Sequence, residues 1–115
     1  MEMTLDEFEQ LTNEVFDGLP AEAVDGLDNV AFVVEDRPKD GSLGLLGLYE
    51  GHDRFARAEY GYGQLPDVIV IYCAPILAIC DSAEQVRSQV YITLLHEIGH
   101  YYGMSDEQLH ELGWA

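Results

Sequence analysis

Residues 82–103 read SAEQVRSQVYITLLHEIGHYYG, and this stretch decides how the rest of the chain is read. Ser82 follows Asp81 and precedes Gln85 by three positions, the pattern of a side-chain-capped helix start. Val86, Val90, Leu94 and Ile98 then recur at helical spacing as one apolar stripe, with Ile92, His96 and His100 roughly opposite. A helix that is apolar on both sides is a buried helix. The sequence therefore predicts one long helix through the middle of the fold, ended near Gly103. Gly99 would cost about 1 kcal/mol in an exposed helix, and predicts close packing against a strand.

The second side of this helix carries His96-Glu97-Ile98-Gly99-His100, or H-E-x-x-H. Four residues separate the histidines, so both imidazoles stand on one face about a turn apart, within reach of a single tetrahedral ion. Neutral imidazole suits zinc; manganese, iron and cobalt accept the same donors. Glu97 falls where a carboxylate can take a proton from water at the metal. The run continues to Gly103 and Asp106, giving H-E-x-x-H-x-x-G-x-x-D. In an unbroken helix Asp106 would lie about 15 Å along the axis from His96. Glycine can take the left-handed conformation that ends a helix, so Gly103 lets the chain fold back and offer Asp106 as third ligand. His110, one turn further on, is the rival for that position. Ser105 with Gln108 also reads as a helix cap with Asp106 in the first turn, a role compatible with ligation.

Elsewhere the chain alternates short helices and strands. Thr4 with Glu7 opens a helix over Leu5 to Gly18, on which Leu5, Phe8, Leu11, Val15 and Phe16 share a face. Ala21 to Asp28 is turn-prone, and Val30 to Val34 predicts a buried strand. Glu35 to Ser42 reads as a loop. Leu43 to Tyr49 is apolar but broken by Gly44 and Gly47, glycines that mark a bulge or a close backbone approach. Glu50 to Pro66 reads as a polar loop carrying His52, Arg54 and Arg57. Asp67 to Tyr72 predicts a strand buried on both faces, its run from Val68 to Ile71 apolar without interruption. Pro75 suits a first helical position, so Pro75 to Cys80 predicts a short helix. Asp106 to Leu112 predicts a last helix, packed down by Trp114.

The extended motif, closed by His110-Glu111-Leu112-Gly113-Trp114, resembles a family of small bacterial zincin-like metallopeptidases long described as a domain of unknown function. Asn29-Val30-Ala31-Phe32-Val33-Val34-Glu35-Asp36, Leu45-Leu46-Gly47-Leu48-Tyr49-Glu50-Gly51 and Leu65-Pro66-Asp67 resemble it in the same order, so the likeness covers most of the chain. It implies a minimal zincin-like α+β fold and a zinc-dependent peptidase activity with undefined substrates. Leu45 to Tyr49 becomes a candidate edge for pairing with an extended substrate. Metzincin peptidases share the histidine–aspartate spacing and carry a methionine turn downstream; here no methionine follows Asp106.

The expected architecture is a single α+β domain over residues 1–115. A small mixed sheet packs against the N-terminal helix and the His96 helix. Its leading function is hydrolysis of peptide bonds with Zn2+ on His96, His100 and Asp106 and Glu97 as general base. Tyr101, Tyr102 and His110 are candidates to steady a developing oxyanion. The rival is a zinc-stabilised, non-catalytic protein-binding module, to which a general base would be useless. The net charge of -17, from 22 acidic against five basic residues, disfavours nucleic acid and anionic membrane surfaces; it serves solubility, or else favours cationic partners such as a basic peptide or protein substrate. The acidic start of the chain has no apolar signal core and no run long enough to span a bilayer, so a cytoplasmic protein is expected. Cys73 and Cys80 match no zinc spacing and read as buried, reduced residues.

Overall fold

Asp67–Tyr72, which alternates valine and isoleucine from Val68 to Ile71, is the middle of a three-stranded sheet. The structure is a computed structural model that describes residues 1–51 and 65–114. In chain order the elements are α1 (Leu5–Asp17), α2 (Ala21–Val24), β1 (Val30–Glu35), β2 (Gly47–Glu50), β3 (Asp67–Tyr72), α3 (Cys73–Ala78), α4 (Ala83–Tyr101) and α5 (Asp106–Leu112). The strand order is β1-β3-β2. β1 runs parallel to β3 with Val33 beside Val70, and β2 runs antiparallel to it with Leu48 beside the same Val70. This is the small mixed sheet of an α+β fold.

One face of the sheet receives the helices. Ile69 and Ile71 of β3 are fully buried with Phe8 and Leu11 of α1 and with Val86, Val90, Leu94 and Ile98 of α4. Burying a side chain of this size stabilises by about 1.5–3 kcal/mol, so the α4 stripe is the fold's main internal seam. α1 starts at Thr4 with the expected reciprocal cap and ends at Gly18. Its Phe16 ring lies 4.5 Å from that of Phe32 on β1. Arg87 reaches Glu14 at 2.7 Å across α4 and α1, an exposed pair that adds little to stability.

Three expectations need correction. β1 is not a buried strand: it is an edge strand, and Val33 and Glu35 on its outer side are exposed. α3 begins at Cys73, so Pro75 is third in the helix rather than first; its missing N–H lies in the first turn, where no intrahelical acceptor exists. Gly99 packs against α5 and not against a strand, since a Cβ there would lie 2.0 Å from Leu109 Cδ2. The turn-prone stretch from Ala21 to Asp28 holds one short helix, confined to α2. Cys73 and Cys80 are buried free thiols. The reading of Glu50 to Pro66, with His52, Arg54 and Arg57, falls largely outside the described residues. No helix of the described residues is long and apolar enough to cross a membrane.

Candidate metal centre

α4 stops where the site needs it to. Gly103 adopts φ +78, and its N–H bonds the His100 carbonyl at 3.0 Å while the Met104 N–H bonds the Gly99 carbonyl at 3.0 Å. This pair of bonds satisfies the last carbonyls of the helix and turns the chain sharply. Nothing lies within 4 Å of the position a Gly103 side chain would take, so backbone conformation alone calls for glycine there. Two residues later Ser105 caps α5: its hydroxyl accepts the Gln108 N–H at 3.2 Å, and Gln108 Oε1 accepts the Ser105 N–H at 2.9 Å. Asp106 is thereby fixed as the first residue of α5.

The result brings three sequence-separated groups together. Ligand atoms of His96, His100 and Asp106 all lie within 4.8 Å of one another. The two Nε2 atoms are 3.0 Å apart with the rings edge to face. Two nitrogens on one tetrahedral zinc, at about 2.0–2.1 Å each, would be separated by about 3.3 Å, so the pair is close to the spacing a single ion requires. Two imidazoles and a carboxylate also suit zinc chemically and leave a fourth position open. Both histidines are half-buried and Asp106 is exposed. His110 stands outside this cluster.

Glu97 lies beside the histidines and is only 8% exposed. Burial pushes its carboxyl above the usual carboxylate range; His96, His100 and a hydrogen bond from the Tyr49 backbone N–H act in the opposite sense. That bond comes from β2, and its only trace in the residue order is the glycine at 47. Leu46 accepts the Tyr72 N–H at 3.0 Å, so strand alternation aims residues 46, 48 and 50 at β3 and residues 47 and 49 at the free edge. Gly47 supplies the close approach its residue type suggested: a Cβ would meet Thr93 Cγ2 at 2.7 Å and Glu97 Cγ at 3.4 Å. Without that contact β2 could not bring its amide to Glu97.

A cavity of about 260 Å³ opens against His96 and Glu97, walled by Leu45, Leu46, Ile92 and Thr93. A larger one, about 730 Å³, lies at the N-terminus between Met1, Arg37 and Leu77, remote from the clustered donors. Of these two cavities only the smaller is lined by a residue of the donor cluster, His96. The tyrosines after the motif have structural partners. Tyr102 donates its hydroxyl to the Ala23 carbonyl at 2.7 Å, and Tyr101 Oη accepts the Asp28 N–H at 3.0 Å. These bonds strap the end of α4 to the segment between α1 and β1, and were invisible in sequence because their partners lie more than seventy positions away.

Among solved structures, the chain is similar to a conserved hypothetical protein from Thermus thermophilus. The two are 25% identical, with 87% of this chain and 94% of that one covered at a TM-score of 0.59. No curated protein matches it. Residues 27–114, which hold all three strands and the whole His96–Asp106 cluster, match the profile of the zincin-like metallopeptidases, and the chain belongs to that family.

Proposed function

We propose that this chain is a zinc-dependent peptidase with His96, His100 and Asp106 as metal ligands and Glu97 as general base. The observation that carries the reading is the convergence of those three donors within 4.8 Å beside a buried glutamate. Asp106 is preferred over His110 because it, and not His110, shares the cluster. Zinc, when bound, supplies Lewis-acid chemistry: it makes water acidic near neutral pH and polarises a carbonyl oxygen. Glu97 accepts the proton of the attacking water, whose oxygen bonds to the peptide carbonyl carbon. As the C–N bond breaks, Glu97 returns that proton to the leaving amine. The Tyr49 N–H holds the carboxylate in place through both transfers. An extended substrate pairs along the free edge of β2 at Gly47, where backbone groups face away from β3. The charge of -17 favours basic substrates.

Glu97→Gln tests the reading. The variant keeps size and fold but has no base, and general-base catalysis commonly supplies about a hundredfold to ten-thousandfold. Zinc titration by calorimetry should give one ion per chain in both proteins, while cleavage of unstructured basic peptides should drop by that factor in the variant. Equal background cleavage by the two proteins would sink the peptidase and leave a zinc-stabilised binding module.

A further inference from the structure

The sheet has a second face that the described helices leave uncovered. Val70 and Tyr72 of β3 are buried yet lie outside the cluster formed by the helices and the inner face. The register sets Val33, Val70 and Leu48 in one row across the three strands, with Val68 on the same side two residues away. Val33 is 39% exposed. A solvated sheet face reads polar at such positions. This face is aliphatic, and none of the described helices packs on it.

Its rim is as informative as its floor. The aliphatic row floors a cavity of about 470 Å³ bordered by Glu35, Asp40 and Glu50, with Lys39 the one cation among the described residues that line it. Burial raises the Tyr72 phenol, and Glu35, Glu50 and Asp40 raise it further. Leu45 borders both this cavity and the one beside His96 and Glu97, so the two adjoin at that side chain. A second copy of so acidic a chain would bring like charges together, as would nucleic acid.

We infer that the outer face of the sheet docks a cationic segment of a protein partner, with aliphatic side chains on Val33, Leu48 and Val68 and lysine or arginine against Glu35, Asp40 and Glu50. In an extended segment alternate residues face one side, so the recognised pattern is basic–x–aliphatic–x–aliphatic–x–basic. The site needs neither metal nor turnover. It goes beyond the peptidase reading, and the Leu45 connection makes the docked segment a neighbour of the cleft.

The test uses the full metal-free chain and a blocked, fluorescent peptide, Lys-Ser-Leu-Ser-Leu-Ser-Lys. Anisotropy should report binding, and amide shifts should concentrate at Val33, Leu48 and Val68. Replacing Glu35, Asp40 and Glu50 together by their amides should weaken binding about tenfold, as expected when the peptide's two lysines lose their exposed carboxylate partners. Val33→Lys, which removes part of the floor, should weaken it comparably while circular dichroism stays unchanged. Amide replacements at Glu9, Glu22 and Glu111, exposed elsewhere, should leave it within about twofold. Equal weakening by the two triple replacements, or equal binding of the glutamate peptide Glu-Ser-Leu-Ser-Leu-Ser-Glu, would overturn the inference in favour of unspecific attraction. Self-association abolished by Val33→Lys would overturn it in favour of a second copy. Because no cleavage is measured, these outcomes are separate from that of Glu97→Gln.

Discussion

Thr4 and Ser105 open α1 and α5 with the same reciprocal pair of hydrogen bonds. In α1 the bonds are 3.0 and 3.1 Å, in α5 2.9 and 3.2 Å, and each helix has acidic residues in its first turn. Yet α1 uses the cap only to begin a packing helix, whereas the α5 cap holds Asp106 beside His96 and His100. The difference arises upstream. Thr4 follows three residues with no left-handed turn among them, while Ser105 follows the left-handed Gly103 and the two bonds that fold the chain back on α4. A local capping code specifies where a helix begins; the preceding turn decides what that beginning can touch.

The anchors of the two helices give the largest test of this contrast. Phe8 and Leu109 are both fully buried, and alanine should cost about 3–5 kcal/mol at the first and about 2–5 at the second. Against the roughly 5–15 kcal/mol typical of a small domain either is severe, so denaturant melts will show both. Zinc titration of the folded fraction should separate them. Leu109→Ala loosens α5 from Gly99 and should lower affinity beyond its effect on folding; Phe8→Ala should leave affinity alone. Unchanged affinity in Leu109→Ala would mean that Asp106 is placed by the turn alone.

Removing the caps asks the same question more gently. Thr4→Ala and Ser105→Ala should each cost about 0.5–2 kcal/mol of stability. Only Ser105→Ala should also weaken zinc binding, because only there does the cap fix a proposed ligand, Asp106. If both substitutions changed affinity alike, the two caps would be coupled through α4 and the contrast would fail.

Acid distinguishes the caps with the smallest effect. Glu7 closes the first, and the backbone hydrogen bond at Thr4, followed by that of the Thr4 side chain, holds its carboxyl below the ordinary value of 4.5. A depressed carboxyl stabilises above its unfolded-state value, and that contribution is lost as pH falls through the folded-state one. Gln108 closes the second and does not titrate. In metal-free protein, the amide of Thr4 should therefore lose protection against exchange as pH falls below 4.5 while that of Ser105 does not. Parallel loss at both amides would point to global acid unfolding instead.

Much of this was legible from residue order because it is local. The Thr4, Ser82 and Ser105 caps, the Val86–Val90–Leu94–Ile98 stripe, the break at Gly103 and the apolar run of β3 each declare themselves within a few positions. What was misread depends on order in space. β1 has the composition of a buried strand, and nothing in Val30–Glu35 reveals that β3, not β1, takes the middle. Gly99 announced a close neighbour but could not say that it was Leu109 rather than a strand. The Tyr49 amide at Glu97 is a backbone group and carries no side-chain signature at all.

The strand order carries a kinetic consequence. β1 and β2 follow one another among the described strands but never pair; every strand-to-strand pairing of this sheet involves β3. No early β1–β2 hairpin can therefore serve as a half-built template, and closure must wait for contacts between distant parts of the chain, which are slow to form. The Tyr49 amide reaches Glu97 only after β2 has docked on β3, and Asp106 reaches the histidines only after α5 has docked on α4. Both events are therefore expected on the native side of the folding barrier, so an ion held by these donors should slow unfolding and leave the rate of folding nearly untouched.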